Sequence, residues 1–178
     1  MERKIKNSQK HMIFREMYPP EAEFLKEMLY ESLFVPEGKE RYPRSVLERP
    51  ELAKYYLKWG SIPHDLAYVA EDNGTLIGAV WGRAHQPPHQ GYGYIDSDIP
   101  EIGIALKSSH RNRGVGTRLL KLISEHYATL EVCFLSLSVD KLNPAKKLYD
   151  RQGFLVVVEN EKILSCSNTC SHKGAGLL

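Results

Sequence analysis

Between residues 99 and 130 an apolar run passes through a short basic, glycine-bearing turn straight into a helical pattern. Ile99 to Leu106 reads as a strand. The turn is Arg111-Asn-Arg-Gly-Val-Gly-Thr117. From about Thr117 to Leu130 the apolar residues Leu119, Leu120, Ile123, Tyr127 and Leu130 recur at helical spacing. A strand follows at Val132 to Val139. Asn143-Pro144 then marks a helix start, with Asn as N-cap and Pro at the first helical position, where its missing N–H costs nothing. That helix stops near Gln152-Gly153, and Phe154 to Val158 reads as a strand. This alternation identifies a single α/β domain.

The segment upstream fits the same class. Residues 12–16 read as a short first strand. Pro19 and Pro20 open a helical segment with apolar positions at Ala22, Leu25, Met28, Leu29 and Leu33, closed by Pro36 and Gly38. A second helical region is expected from Ser45 to Trp59, interrupted at Pro50 and closed by Gly60. Leu66–Ala70 and Thr75–Trp81 flank Asn73-Gly74, the strongest short-range hairpin signal. Residues 85–98 are a Pro-, Gly- and Tyr-rich loop. Ile163 to Cys166 reads as a short edge strand. The resulting expectation is a basic flexible tail at 1–10, one domain at 11–166 and a disordered tail at 167–178.

Composition narrows the function classes. The chain has 178 residues, 42% hydrophobic and 26% charged, ordinary for a globular protein. Its formal net charge is +2, and residues 1–10 alone carry +3 from Arg3, Lys4, Lys6 and Lys10 against Glu2, leaving 2 − 3 = −1 for the rest. A near-neutral body with a short basic tail does not read as a nucleic-acid binder. No apolar run approaches the ~20 residues of a membrane span, and residues 1–10 lack the apolar stretch of a secretory signal. Three cysteines, Cys133, Cys166 and Cys170, favour free thiols and a cytoplasmic location. Cys166, Cys170 and His172 lack a fourth ligand nearby for a closed zinc site, so no metal is expected.

The glycine turn carries the chemistry. Gly114 and Gly116 let a ligand approach the backbone closely. The first turn of the following helix presents unpaired N–H groups and the positive end of the dipole, and Arg111 and Arg113 add two cations. Together these suit a phosphate or pyrophosphate. On the heptapeptide alone, an ordinary tight turn with two solvated arginines remains an equal alternative. A Walker A loop is excluded because Gly-Thr-Arg stands where Gly-Lys-Ser/Thr is required. A dinucleotide fingerprint is excluded because Leu119 stands at the third glycine.

Arg111 to Gly116 resembles the R/Q-x-x-G-x-G/A signature of the GNAT superfamily of acetyl-CoA-dependent N-acyltransferases. About 27 residues on, Asn143-Pro-Ala-Lys-Lys-Leu-Tyr-Asp-Arg-Gln-Gly-Phe154 resembles that family's N-x-x-A-x-x-L-Y-x-x-x-G-F motif. The resemblance covers 66–158 strongly and the N-terminal helices loosely. It implies a GNAT-like α/β (α+β) fold: a mixed, mostly antiparallel twisted sheet of about six or seven strands flanked by about four helices. It implies acetyl-CoA as co-substrate, with the pyrophosphate on Arg111, Asn112, Arg113, Gly114, Val115, Gly116 and Thr117. The pantetheine arm would lie along Ile104, Ala105, Leu106 and Lys107, with the Leu106 N–H as oxyanion donor and Asn143 reaching toward the arm. Tyr149 would be the general acid that protonates the CoA thiolate. Glu101 would be the general base, with Asp96, Asp98, His85, His89 and His110 as other candidates.

The expected reaction is direct attack of a primary amine on acetyl-CoA in a ternary complex. The expected acceptor is a small-molecule or peptide amine, neither nucleic acid nor membrane, and family habit suggests a homodimer. The acceptor side is expected along 34–59 and 85–98, where Tyr92, Tyr94, Asp96 and Asp98 could hold a cationic amine. The alternative is a catalytically silent acyl-CoA-binding or sensing module, a reading that the presence of both Asn143 and Tyr149 argues against.

Overall fold

A computed structural model describes residues 12–159 together with the backbone of 163–169. In chain order the elements are β1 (Met12–Glu16), α1 (Glu23–Ser32), α2 (Pro50–Ala53), β2 (Leu66–Asp72), β3 (Thr75–Arg83), β4 (Glu101–Leu106), α3 (Val115–Thr129), β5 (Phe134–Asp140), α4 (Lys146–Arg151), β6 (Leu155–Glu159) and β7 (Ile163–Thr169). The tail expected at 1–10, and residues 170–178 of the tail expected at 167–178, lie outside the described residues. So do the side chains of Cys166 and Cys170, and all of His172.

The strands form one sheet in the order β1-β2-β3-β4-β5-β7-β6. Only β4 and β5 are parallel; the other neighbours are antiparallel. The β2–β3 turn confirms the hairpin signal: Asn73 and Gly74 both take positive φ, 50° and 79°, as a two-residue turn between twisted strands requires. α3 packs on one side, with Leu119, Leu120, Ile123 and Tyr127 among Val80, Ile102, Leu135 and Leu137. α1 packs on the other, with Leu25, Met28 and Leu29 among Val69, Ala79, Trp81 and Ala105. Each fully buried aliphatic side chain contributes about 1.5–3 kcal/mol, so these two layers hold the sheet rigid beneath any site.

Three expectations differ from the structure. The long second helix is instead a 3₁₀ turn at Arg44–Glu48 and the single α-turn of α2. Pro50 holds Arg49 extended (ψ 137°). Beyond α2 the Arg83 guanidinium takes the carbonyls of Lys54, Leu57 and Lys58, which a continuing helix would have used for its own ladder. Second, β7 is not at the edge. It lies between β5 and β6, paired with β5 at seven positions from Phe134↔Thr169 to Asp140↔Ile163. It therefore runs to Thr169, three residues past the expected domain end at 166. It pairs the edge of β5 away from β4, while the edge facing β4 keeps a single register pair. Third, α3 begins at Val115, two residues early, because Gly114 takes the left-handed conformation at its start.

Candidate active site

The parallel strands β4 and β5 meet at a single register pair, Glu101↔Ser136, with the Ser136 N–H donating to the Pro100 carbonyl at 3.0 Å. Beyond it they part, and a cleft of about 2080 Å³ opens there, bounded by α1, the 33–42 loop, the start of α3, and α4. Backbone alternation decides what β4 shows to this cleft. The Lys107 N–H donates to Ile77 in β3 at 2.8 Å. Counting back along an antiparallel ladder, Ala105 and Gly103 also face β3, while Ile104 and Leu106 turn their N–H and C=O groups to the open edge. Of the four residues expected to carry the pantetheine arm, Ile104 and Leu106 thus offer backbone groups. The amides of Ala105 and Lys107 are turned away. The Leu106 N–H is on the side expected of an oxyanion donor, and its carbonyl accepts from Arg111 Nε at 3.0 Å.

The glycine turn closes one end of the cleft. Gly114 caps α3 at φ 79°, and the space a Cβ would occupy there is open to 4 Å. The first-turn N–H groups of this 15-residue helix have no intrahelical acceptors. Asn112, Gly114, Gly116 and Thr117 line the cleft, whereas Val115 is buried in the core. The two arginines do not act as a pair. Arg111 lines the cleft but is ion-paired with Glu31 of α1 at 3.2 Å. Arg113 lines a separate hollow with Met12, Phe14, Asp72 and Arg118.

α4 forms the opposite wall. Asn143 Oδ1 accepts from the Ala145 N–H at 2.9 Å and the Asn143 carbonyl accepts from Lys146 at 3.0 Å. The expected cap therefore forms, but on a tight 3₁₀ turn, and the regular helix begins only at Lys146. Tyr149 is both core and cleft. It is 8% exposed, packs edge-to-face on Phe154 with ring centroids 5.9 Å apart, and lines the cleft with Asn143 and Leu148.

Glu101 sits where the strands part, and it is not the solvated strand-edge carboxylate that its position suggests. It is 4% exposed. Its Oε1 accepts from the Gly93 N–H (2.9 Å), the Tyr55 hydroxyl (3.0 Å) and the Ser138 hydroxyl (3.5 Å). Its Oε2 has no hydrogen-bond partner among the described residues. Burial pushes the carboxyl up to about 6. The Gly93 N–H, the Tyr55 hydroxyl, the Lys54 ammonium and the Ser138 hydroxyl pull the other way. Gly91 packs directly on Oε2, where any Cβ would collide, and a Cβ on Gly93 would stand 2.5 Å from the Leu137 carbonyl carbon. The two glycines thus let the 85–98 loop lie flat over Glu101 and β5.

Most of the other base candidates fall away. His110 pairs with Asp72 at 3.2 Å, outside the cleft lining. His89, Asp96 and Asp98 are exposed, and none lines the cleft. His85 is buried behind Tyr55, its rings 4.8 Å from it, and burial drives its imidazole down to about 4, holding it neutral. Tyr94 bonds Ser97 within its own loop, so of the expected amine-holding set only Tyr92 reaches the cleft. Sequence reasoning missed Tyr55 and the buried Arg83–Asp65 pair that anchors its loop through two 2.8 Å hydrogen bonds. The Gly91-x-Gly93 spacing was the one available signal that the loop lies close against something. No group of three His, Cys, Asp or Glu residues arranged for a metal ion occurs among the described residues. No helix of those residues is long and apolar enough to cross a membrane.

The chain is similar to known proteins in sequence and in fold. An uncharacterized N-acetyltransferase of Methanocaldococcus jannaschii is 29% identical over 117 residues, 65% of this chain and 69% of its own. The fold matches PaiA N-acetyltransferase of Thermoplasma acidophilum in complex with coenzyme A (TM-score 0.65, 17% identity, 89% and 99% of the two chains). It also matches a Salmonella typhimurium protein solved with its cofactor acetyl-CoA (TM-score 0.63, 14% identity, 93% and 98%). The model of the acetyltransferase (GNAT) family spans residues 23–154, which include the parted strands, the glycine turn and α4, and the chain belongs to that family of acyltransferases.

Proposed function

We propose that the protein transfers the acetyl group of acetyl-CoA to a primary amine, on a small molecule or a peptide, by direct attack in a ternary complex. The observation that carries this is Glu101: a buried carboxyl, pushed up to about 6, at the point where the open edge of β4 begins. A group of that kind is ionised at neutral pH yet basic enough to take a proton from an attacking amine. The likeness to structures holding coenzyme A and acetyl-CoA supports the donor.

Each residue then has a part. The N–H groups at the start of α3, with Asn112, Gly114, Gly116 and Thr117, receive the pyrophosphate. Ile104 and Leu106 pair with the amide groups of the pantetheine arm, and the Leu106 N–H stabilises the oxygen of the thioester carbonyl as it becomes negative. Asn143 orients the arm from α4. The amine nitrogen bonds to the carbonyl carbon, and Glu101 removes its proton directly or through a water. The C–S bond then breaks, and Tyr149 donates a proton to the departing thiolate. Cys133, exposed and free, fits the cytoplasm as the compartment. A silent acyl-CoA sensor would have no use for a buried, partly unsatisfied carboxyl in the cleft. The experiment is acetyl-CoA-dependent thiol release over a panel of amines and peptides with wild type and Glu101→Gln. Acceptor-dependent release that the variant loses supports the reading. Tight acetyl-CoA binding with no release on any acceptor would favour the sensor.

A further inference from the structure

We propose that Tyr55 is a positioning residue for Glu101, holding one carboxyl oxygen so that the other, Oε2, is the atom that takes the proton. This rests on the reading of Glu101 as the base. Tyr55 follows α2 and reaches across the cleft floor to β4. Its hydroxyl oxygen accepts from the Tyr92 N–H at 2.7 Å, which commits the hydroxyl's own proton to its other neighbour, Glu101 Oε1, at 3.0 Å. The Gly93 N–H arrives at the same oxygen. Every described donor to this carboxyl therefore falls on Oε1, and none on Oε2. Charge on Oε1 is stabilised by hydrogen bonds, while Oε2, buried beside Gly91, has lone pairs that no described donor takes up.

The hydroxyl is held from behind. The Tyr55 ring packs edge-to-face on His85. The carbonyls of Lys54, Leu57 and Lys58 around it are bound by Arg83, itself paired with Asp65 and stacked over Trp59. The groups facing Glu101 are Lys54, Tyr55, Gly91 and Gly93 from the two loops and Ser138 from β5. Arg83 is its register partner on β3, with the neutral His85 beyond. Among the hydroxyls, Tyr55 makes the shorter bond to the carboxyl, 3.0 Å against 3.5 Å for Ser138. Removing its donor disfavours the ionised form of Glu101.

The test compares wild type, Tyr55→Phe, Glu101→Gln and the double variant. Infrared difference titration against Glu101→Gln reports the ionisation midpoint of Glu101 without any substrate. The Tyr55→Phe change should raise that midpoint, and with it the acid limb of kcat/KM, and cut the rate several-fold near the limb while acetyl-CoA affinity holds. The double variant should be no slower than Glu101→Gln alone. Should Tyr55→Phe fold poorly, 3-fluorotyrosine at position 55, a stronger donor, should lower the midpoint instead. A midpoint unmoved by either change overturns the role of Tyr55 and leaves Glu101 as base intact. A midpoint that moves while the rate limb stays overturns Glu101 as the base, and the catalytic meaning of Tyr55 with it.

Discussion

Glu101→Gln should make the protein more stable above about pH 6 and no more stable below about pH 4, relative to wild type at each pH. The carboxyl titrates at about 6 when folded against 4.5 for an ordinary glutamate. The gap is 6 − 4.5 = 1.5 pH units, about 2 kcal/mol at 1.36 kcal/mol per unit. Because the folded state holds the proton more tightly, the unfolded state binds fewer protons between these values. Stability therefore falls as pH rises through that window and stays lower above it. Glutamine keeps an oxygen for the Tyr55 and Gly93 donors and has no charge to bury. The variant's advantage should grow by about 2 kcal/mol between acid and alkaline pH, or about 4–8 °C in melting temperature for a domain of this size. Paired thermal melts at about pH 4 and pH 8 read this directly, and any packing difference between the side chains cancels in the comparison. An advantage of equal size at both ends would refute the argument that burial of the charge carries the cost.

Tyr149→Phe should lower kcat roughly 10²-fold or more on a good acceptor with acetyl-CoA affinity unchanged, if the hydroxyl protonates the thiolate; a core role alone would shift stability by about 1 kcal/mol and leave turnover normal. Gly114→Val should weaken acetyl-CoA binding sharply in calorimetry, since a β-branched residue resists φ 79° and its side chain would enter the open face of the turn; unchanged affinity with the fold intact would reject the site. Asp65→Ala leaves the Arg83 guanidinium buried without its carboxylate and should cost about 3–5 kcal/mol in denaturant unfolding, far beyond the loss of a surface pair.

The strands, the hairpin, the glycine turn and α4 were legible because each is written in local chemistry: alternation, Asn73-Gly74, Gly114, Asn143-Pro144. What was not legible depended on contacts distant in sequence. The helix expected after Pro50 is undone by carbonyl contacts from Arg83, on a strand some thirty residues away. β7 takes an interior place because β5 needs a backbone partner, and its polar sequence says nothing of that need. The burial of Glu101 comes from the 85–98 loop lying over it, which composition marked only as loop. The division of Arg111 and Arg113 onto different sides goes with the left-handed backbone of Asn112 between them (φ 59°), a matter of dihedral angles rather than of charge.

The close packing of Gly91 and Gly93 around an exposed Tyr92 also shapes how this cleft can vary. Tyr92 is 52% exposed and lines the cleft, while its two neighbours have no room for a Cβ. A saturation library across the loop should therefore show one permissive position between two forbidden ones. Residue 92 is then the place to alter acceptor preference by selection, because the backbone that presents it is fixed from both sides while its side chain lines the cleft.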